Sequence, residues 1–247
     1  MPRWAIASAL ATLLAPASAL TLFDPAAGLP SAQGWAPLIV GSAGSDGIVA
    51  GRYVLDTTSA GVSTDGRGRV SPFTLDTAAG FSLSFDLRLA SESHSSTNRA
   101  GFSILLVGSN TTHSLELAFW GSEVFAYDYV AADADRFVHG AGALLDTTAS
   151  FRHYVLAVQN QLYTLSSGGS TLLSGALKDY TAQGQPYTTP NFLFFGDDTS
   201  RAASSVELGP LVIGAVPEPS LAWMWALGLV GVLGAARSRR ARGQPAG

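Results

Sequence analysis

"FSLSFDLRL", residues 81–89, alternates without a break: Phe81, Leu83, Phe85, Leu87 and Leu89 fall on one side and polar residues on the other. A period of two marks a β-strand with one face on a core and the other in water. "SLELAFWG" (114–121) and "EVFAYDY" (123–129) repeat the pattern less strictly, separated by Gly121-Ser122, a two-residue hairpin signal. Further strand candidates are 52–58, 70–77, 100–108, 151–159, 161–167, 170–177, 191–197 and 204–214. Asn160-Gln161 and Gly168-Gly169 are tight-turn chemistry between neighbours, and "GRGR" at 66–69 reads as turn material.

Short strands in succession, with no helical period between them, predict an all-β fold: an antiparallel two-sheet sandwich over residues 20–214. The longer irregular pieces are 24–50, 90–99, 131–149 and 178–190. No repeat and no long linker divides the body.

Both ends have a different character. Residues 1–19 carry Arg3, an apolar run and then Ala17-Ser18-Ala19, the small-x-small pattern of a signal peptide cut after Ala19 by signal peptidase. The chain has no cysteine, which excludes thiol catalysis, iron–sulfur clusters and cysteine-ligated zinc. An exported body without disulfides must be held by its core, which is feasible at about 200 residues. Lys and Arg number 14 against 18 Asp and Glu. Five arginines and one glutamate of these lie in the termini, leaving nine cations against seventeen acids in the body, a net of −8. An acidic body has no electrostatic footprint for nucleic acid.

Near the C-terminus, Pro217-Glu218-Pro219 leads into the uncharged run 221–236, and the run stops at Arg237, Arg239, Arg240 and Arg242. Sixteen residues make a helix of about 24 Å, short of the ~30 Å hydrocarbon core. In motif order and position, 217–243 resembles the PEP-CTERM sorting signal of Gram-negative bacteria. The resemblance implies processing by an exosortase near Pro217-Glu218-Pro219, with the hydrophobic helix as a transient inner-membrane anchor facing the periplasm. It also implies a surface or extracellular destination associated with exopolysaccharide and biofilm.

The strand succession "FRHYVLAVQNQLYTLSSGGSTLLSGAL" and the closing "FLFFGDDTSRAASSVELGPLVIG" resemble the concanavalin A-like (laminin G-like) jelly-roll superfamily, in which the last apolar strand lies beside the first. Glucanases of that superfamily carry Glu-x-Asp-x-x-Glu on one strand. Here Glu116 and Glu123 stand seven apart across a turn with no intervening Asp, and read as solvent-facing hairpin residues. The four histidines show no ligand spacing and no Gly-x-Ser-x-Gly elbow is present. The expectation is therefore a non-enzymatic module that binds or organises extracellular polysaccharide. The alternatives are a glycan-active enzyme with Glu116 or Glu123 as its acid, and a ligand-free matrix protein. Trp120, Tyr127, Tyr180 and Tyr187 are the candidate sugar-stacking residues, since a flat ring takes a sugar's C–H face. No cofactor is required. Calcium is the one candidate ion, with Asp197 and Asp198 after Gly196 as hard oxygen ligands, and the jelly-roll resemblance implies such ions at a sheet edge.

Overall fold

The computed structural model describes residues 19–59, 61–130 and 136–215. Ala17, the sorting motif Pro217-Glu218-Pro219, the run 221–236 and the terminal arginines lie outside the described residues. Among the described residues no helix is long and apolar enough to cross a membrane.

The strands are β1 (Leu20–Phe23), β2 (Ala36–Gly41), β3 (Ser45–Val49), β4 (Arg52–Asp56), β5 (Val62–Val70), β6 (Phe81–His94), β7 (Ser103–Val107) and β8 (Ser114–Trp120). They continue with β9 (Glu123–Tyr129), β10 (Phe137–Leu144), β11 (Arg152–Gln159), β12 (Leu162–Ser167), β13 (Ser170–Ala176), β14 (Phe192–Asp197) and β15 (Ala202–Gly214). One sheet runs β13-β12-β11-β6-β15-β4-β3, with β1 added alongside β15; the other runs β10-β9-β8-β7-β14-β5-β2. All pairings are antiparallel, and the two sheets form a jelly-roll sandwich. The first strand lies beside the last, Leu20 opposite Ile213.

β6 shows why alternation decides the fold. Its five apolar residues are at most 1 % exposed, while Ser82, Ser84, Asp86 and Arg88 are half-buried. The strand extends past the sequence reading to His94, where it pairs with the start of β15. Side chains from both sheets close the core: Phe85 stacks on its ladder neighbour Tyr154 at 5.3 Å and meets Phe119 of the opposite sheet edge-on at 6.2 Å. At the other end Phe195 packs on Trp35 at 4.7 Å, and Trp35 donates its indole N–H to Leu22 O at 3.0 Å. Each such ring contributes about 1.5–3 kcal/mol by burial.

The expected hairpins form at Gly121-Ser122, Asn160-Gln161 and Gly168-Gly169. Asn160 and Gln161 both take positive φ, as a primed two-residue turn requires. Three readings are corrected. "GRGR" is the middle of β5 and not a turn; a Cβ at Gly66 would stand 2.2 Å from the Phe194 ring, so the glycines make room for aromatics lying across the strand. The expected strand 70–77 ends at Val70, because Leu75 N donates to Asn191 Oδ1 and Phe73 N to Ser71 Oγ instead of to a neighbour strand. The irregular pieces 24–50 and 131–149 contain β2, β3 and β10.

β2 is an edge strand whose every residue is exposed, with Leu38, Ile39 and Val40 among them and no charge in residues 36–45. Flat uncharged edges favour unwanted strand addition. Val40→Lys is expected to leave the melting temperature within about 2 °C and to lower light scattering of concentrated protein; unchanged scattering would show that this edge does not drive association.

Candidate functional site

The middle strands of the second sheet are buried on both faces. β8 turns Leu115, Leu117 and Phe119 to the sandwich core, and Glu116, Ala118 and Trp120 outward. β7, β9 and β14 do likewise, sending Leu105, Val107, Phe125, Tyr127, Phe192 and Phe194 into a second, outer cluster. The chain between β13 and β14 covers that cluster, laying Tyr180 and Tyr187 over it with Phe137 of β10 between them at 5.1 and 5.2 Å.

Glu116 lies beneath this cover and is 1 % exposed, so its reading as a solvent-facing residue is corrected. Its carboxylate accepts from Ser103 Oγ at 2.9 Å and from the Tyr187 hydroxyl at 3.3 Å. Arg99 Nη2 holds Asp198 Oδ2 at 2.9 Å, and the guanidinium sits over the Tyr127 and Phe137 rings at 5.2 and 5.6 Å. The other oxygen, Asp198 Oδ1, is buried and receives no N–H or hydroxyl donor. Burial, together with the nearby Asp198 charge, pushes the Glu116 carboxyl up to about 8 against the pull of Arg99. Near neutrality Glu116 is therefore protonated and shares a hydrogen bond with Asp198.

Above this buried group a cleft of about 330 Å³ opens to solvent, lined by Arg99, Phe137, Tyr187, Asp198, Thr199, Ser200 and Arg201. It combines aromatic rings with an ion pair that offers both donors and acceptors. That is the chemistry by which a pocket takes a polyhydroxylated ring.

Of the four stacking candidates, the structure brings only Tyr187 to the cleft. Tyr127 and Tyr180 are fully buried and bound inward: Tyr127 accepts from Ala100 N at 3.0 Å through its hydroxyl, and Tyr180 donates to Tyr127 O at 2.8 Å. No ring face of theirs is left for a ligand. Trp120 is stacked by His94 at 4.3 Å, packed by Phe125 and His139, and donates to Arg99 O, so its stacking partners are protein. Glu123 stands apart, beside His139 at 3.3 Å.

Asp197 and Asp198 diverge. Asp198 pairs with Arg99, whereas Asp197 is 1 % exposed, faces Asp65 across the β14–β5 ladder and accepts from Thr199 N at 3.0 Å. Burial raises the Asp197 carboxyl to about 7, against the hydrogen bonds from Thr199 and Thr57. A cation on Asp198 would have to compete with the Arg99 guanidinium. Among the described residues no group of three or more His, Cys, Asp or Glu converges as a metal site. The sequence reading missed Arg99 and Phe137, which lie in segments read as irregular, the Thr199–Arg201 turn, which falls between two strand candidates, and Ser103, which lies within the strand candidate 100–108.

Residues 215–240 match the PEP-CTERM protein-sorting motif. No curated protein matches the chain. Among solved structures, a conserved carbohydrate esterase from the Shiga toxin-encoding bacteriophage phi24B is similar with a TM-score of 0.58 at 13 % identity, covering 81 % of this chain and 100 % of that one. A variant of alginate lyase A1-II' is similar at 0.45 and 11 % identity over 71 % and 85 % of the two chains. A family 29 carbohydrate-binding module is similar at 0.40 and 14 % over 81 % and 90 %. At these identities the likeness is one of fold. The chain thus joins a PEP-CTERM sorting motif, which indicates an exported protein, to a jelly-roll body.

Proposed function

We propose that the exported body is a non-enzymatic glycan-binding module, which holds or organises extracellular polysaccharide at the cell surface. Signal peptidase and an exosortase process its two ends, and the C-terminal run anchors it in the inner membrane, facing the periplasm, until the second cut. The observation that carries the reading is the cleft over Arg99 and Asp198 with the Tyr187 and Phe137 rings in its wall. A sugar's C–H face takes the Tyr187 ring while its hydroxyls exchange hydrogen bonds with the ion pair. Binding is favoured over turnover because the two carboxyls held above their ordinary values, Glu116 and Asp197, are each 1 % exposed, Glu116 beneath Tyr187.

A second reading rests on the Glu116 proton. A carboxyl held protonated beside a second carboxylate is the pairing from which acid catalysis on glycans is built. Glycan arrays run beside hydrolase, lyase and esterase assays on purified residues 20–215 separate the two. The expected result is binding without turnover, weakened roughly 2- to 12-fold by Tyr187→Ala, the value of one lost aromatic contact. Turnover that disappears in Glu116→Gln would establish the enzyme instead, and silence in every assay would leave a ligand-free matrix protein.

A further inference from the structure

A second depression, of about 410 Å³, adjoins the cleft. It is walled by Thr57, Thr58 and Ser59 after β4, by Ser93, His94 and Ser95 at the end of β6, and by the turn before β15. Ser200 and Arg201 line both depressions, so the two meet along that turn. The junction is fixed through its backbone: Arg201 O accepts from Ser95 N at 2.8 Å and Ser95 Oγ at 3.0 Å, and Arg201 N donates to Thr199 Oγ1 at 3.1 Å.

The two halves differ in chemistry. The first offers rings and an ion pair. The second is rimmed by hydroxyls, of which Thr58 and Ser95 already donate within the protein, to Asp56 Oδ1 and Arg201 O. Towards a ligand those two present lone pairs, the complement of a sugar's O–H donors. Both depressions open to solvent, and each alone is near the lower end of the roughly 300–1,000 Å³ of small-molecule pockets.

Resting on the glycan-binding reading above, the geometry points to an extended ligand: the site takes an internal stretch of a polysaccharide, one unit against Tyr187 and the following units along Ser93 and Ser95, rather than a free sugar or a chain terminus. A chain can enter and leave such a path because neither depression is a closed pouch.

Oligosaccharides of two to six units test this by calorimetric titration of residues 20–215, with β-1,4-glucan, β-1,4-mannan and mannuronate ladders as probes. For the ladder that binds, affinity is expected to rise at least about tenfold between two and five units, a gain of one further set of contacts. Ser93→Trp, which fills the second depression, is expected to erase that gain, whereas Tyr187→Ala weakens every length. Ser59→Trp on the facing wall repeats the test should Ser93→Trp lower the melting temperature. Affinity that saturates at two units, or a length gain that survives both tryptophans, overturns the extended site while leaving the glycan-binding reading intact. No binding at any length overturns both.

Discussion

Replacing Arg67 by alanine is expected to destabilise the body by about 3–5 kcal/mol, because it leaves the buried Asp65 carboxylate without its counter-charge. For a body of this size that lowers the melting temperature by roughly 6–20 °C. Arg67 lies on β5 with its side chain 8 % exposed, bonded through Nη1 to Asp65 and through Nη2 to Asp46 at 2.6 Å. Burial pulls the guanidinium down, and the hydrogen bonds to Asp46 and Asp65 more than offset it, so its pKa stands above the ordinary value. The same carboxylates fix their surroundings: Tyr53 donates its hydroxyl to Asp46 at 2.9 Å, and Asp65 accepts from Gly44 N at 2.7 Å. The network therefore ties the β2–β3 connection to both sheets. Asp65→Asn combined with Arg67→Met removes both charges, and is expected to recover much of the loss in thermal denaturation. A single Arg67→Ala variant within about 1 kcal/mol of the parent would show that the pair is solvated and that the reading of its burial is wrong.

Stability is also expected to fall as pH rises from about 5 to 8. Glu116 in the folded chain holds its proton up to about 8, and Asp197 up to about 7, whereas both release it near their ordinary values when unfolded. Between those limits the folded state binds more protons than the unfolded one, so each rise in pH favours unfolding; above about 8 the dependence flattens. The total is on the order of a few kcal/mol. Glu116→Gln imitates the protonated carboxyl. Its amide N–H can donate to Asp198 as the acid proton does, and its oxygen can still accept from Ser103. The variant is therefore expected to match the parent near pH 5 and to exceed it near pH 9, keeping the smaller Asp197 slope up to about pH 7. Melting curves at pH 5, 7 and 9 check this; a parent curve that is level or rising across that range contradicts the buried-proton assignment.

These two groups differ in how visible they are in the chain. The strand faces are legible because alternation is a local property. The positions of β6, β8, β9, β11 and β12 follow from their own residues, and the tight hairpins from two residues each. β5 is not legible. Its Arg-Gly-Arg pattern has neither apolar alternation nor β-branched residues at 66–69, and the strand exists because Phe192 and Phe194 of β14 press on the glycines from across the ladder. The candidate site is less legible still. Glu116 has the sequence context of an exposed hairpin residue, and its burial comes from Tyr187, 71 positions away.

By itself, the sequence determined that the chain builds an antiparallel all-β body with no disulfide, and that a sorting motif follows it. Both rest on near neighbours in the chain: side-chain period, turn residues, and a contiguous Pro-Glu-Pro, apolar and arginine order. Only the tertiary structure decided which aromatic and acidic side chains line an open cleft. On a sheet face, exposure depends on whether a distant segment lies over it. The 178–190 segment lies over this one, burying Tyr127, Tyr180 and Glu116 and leaving Tyr187 with Arg99 and Asp198 at the opening.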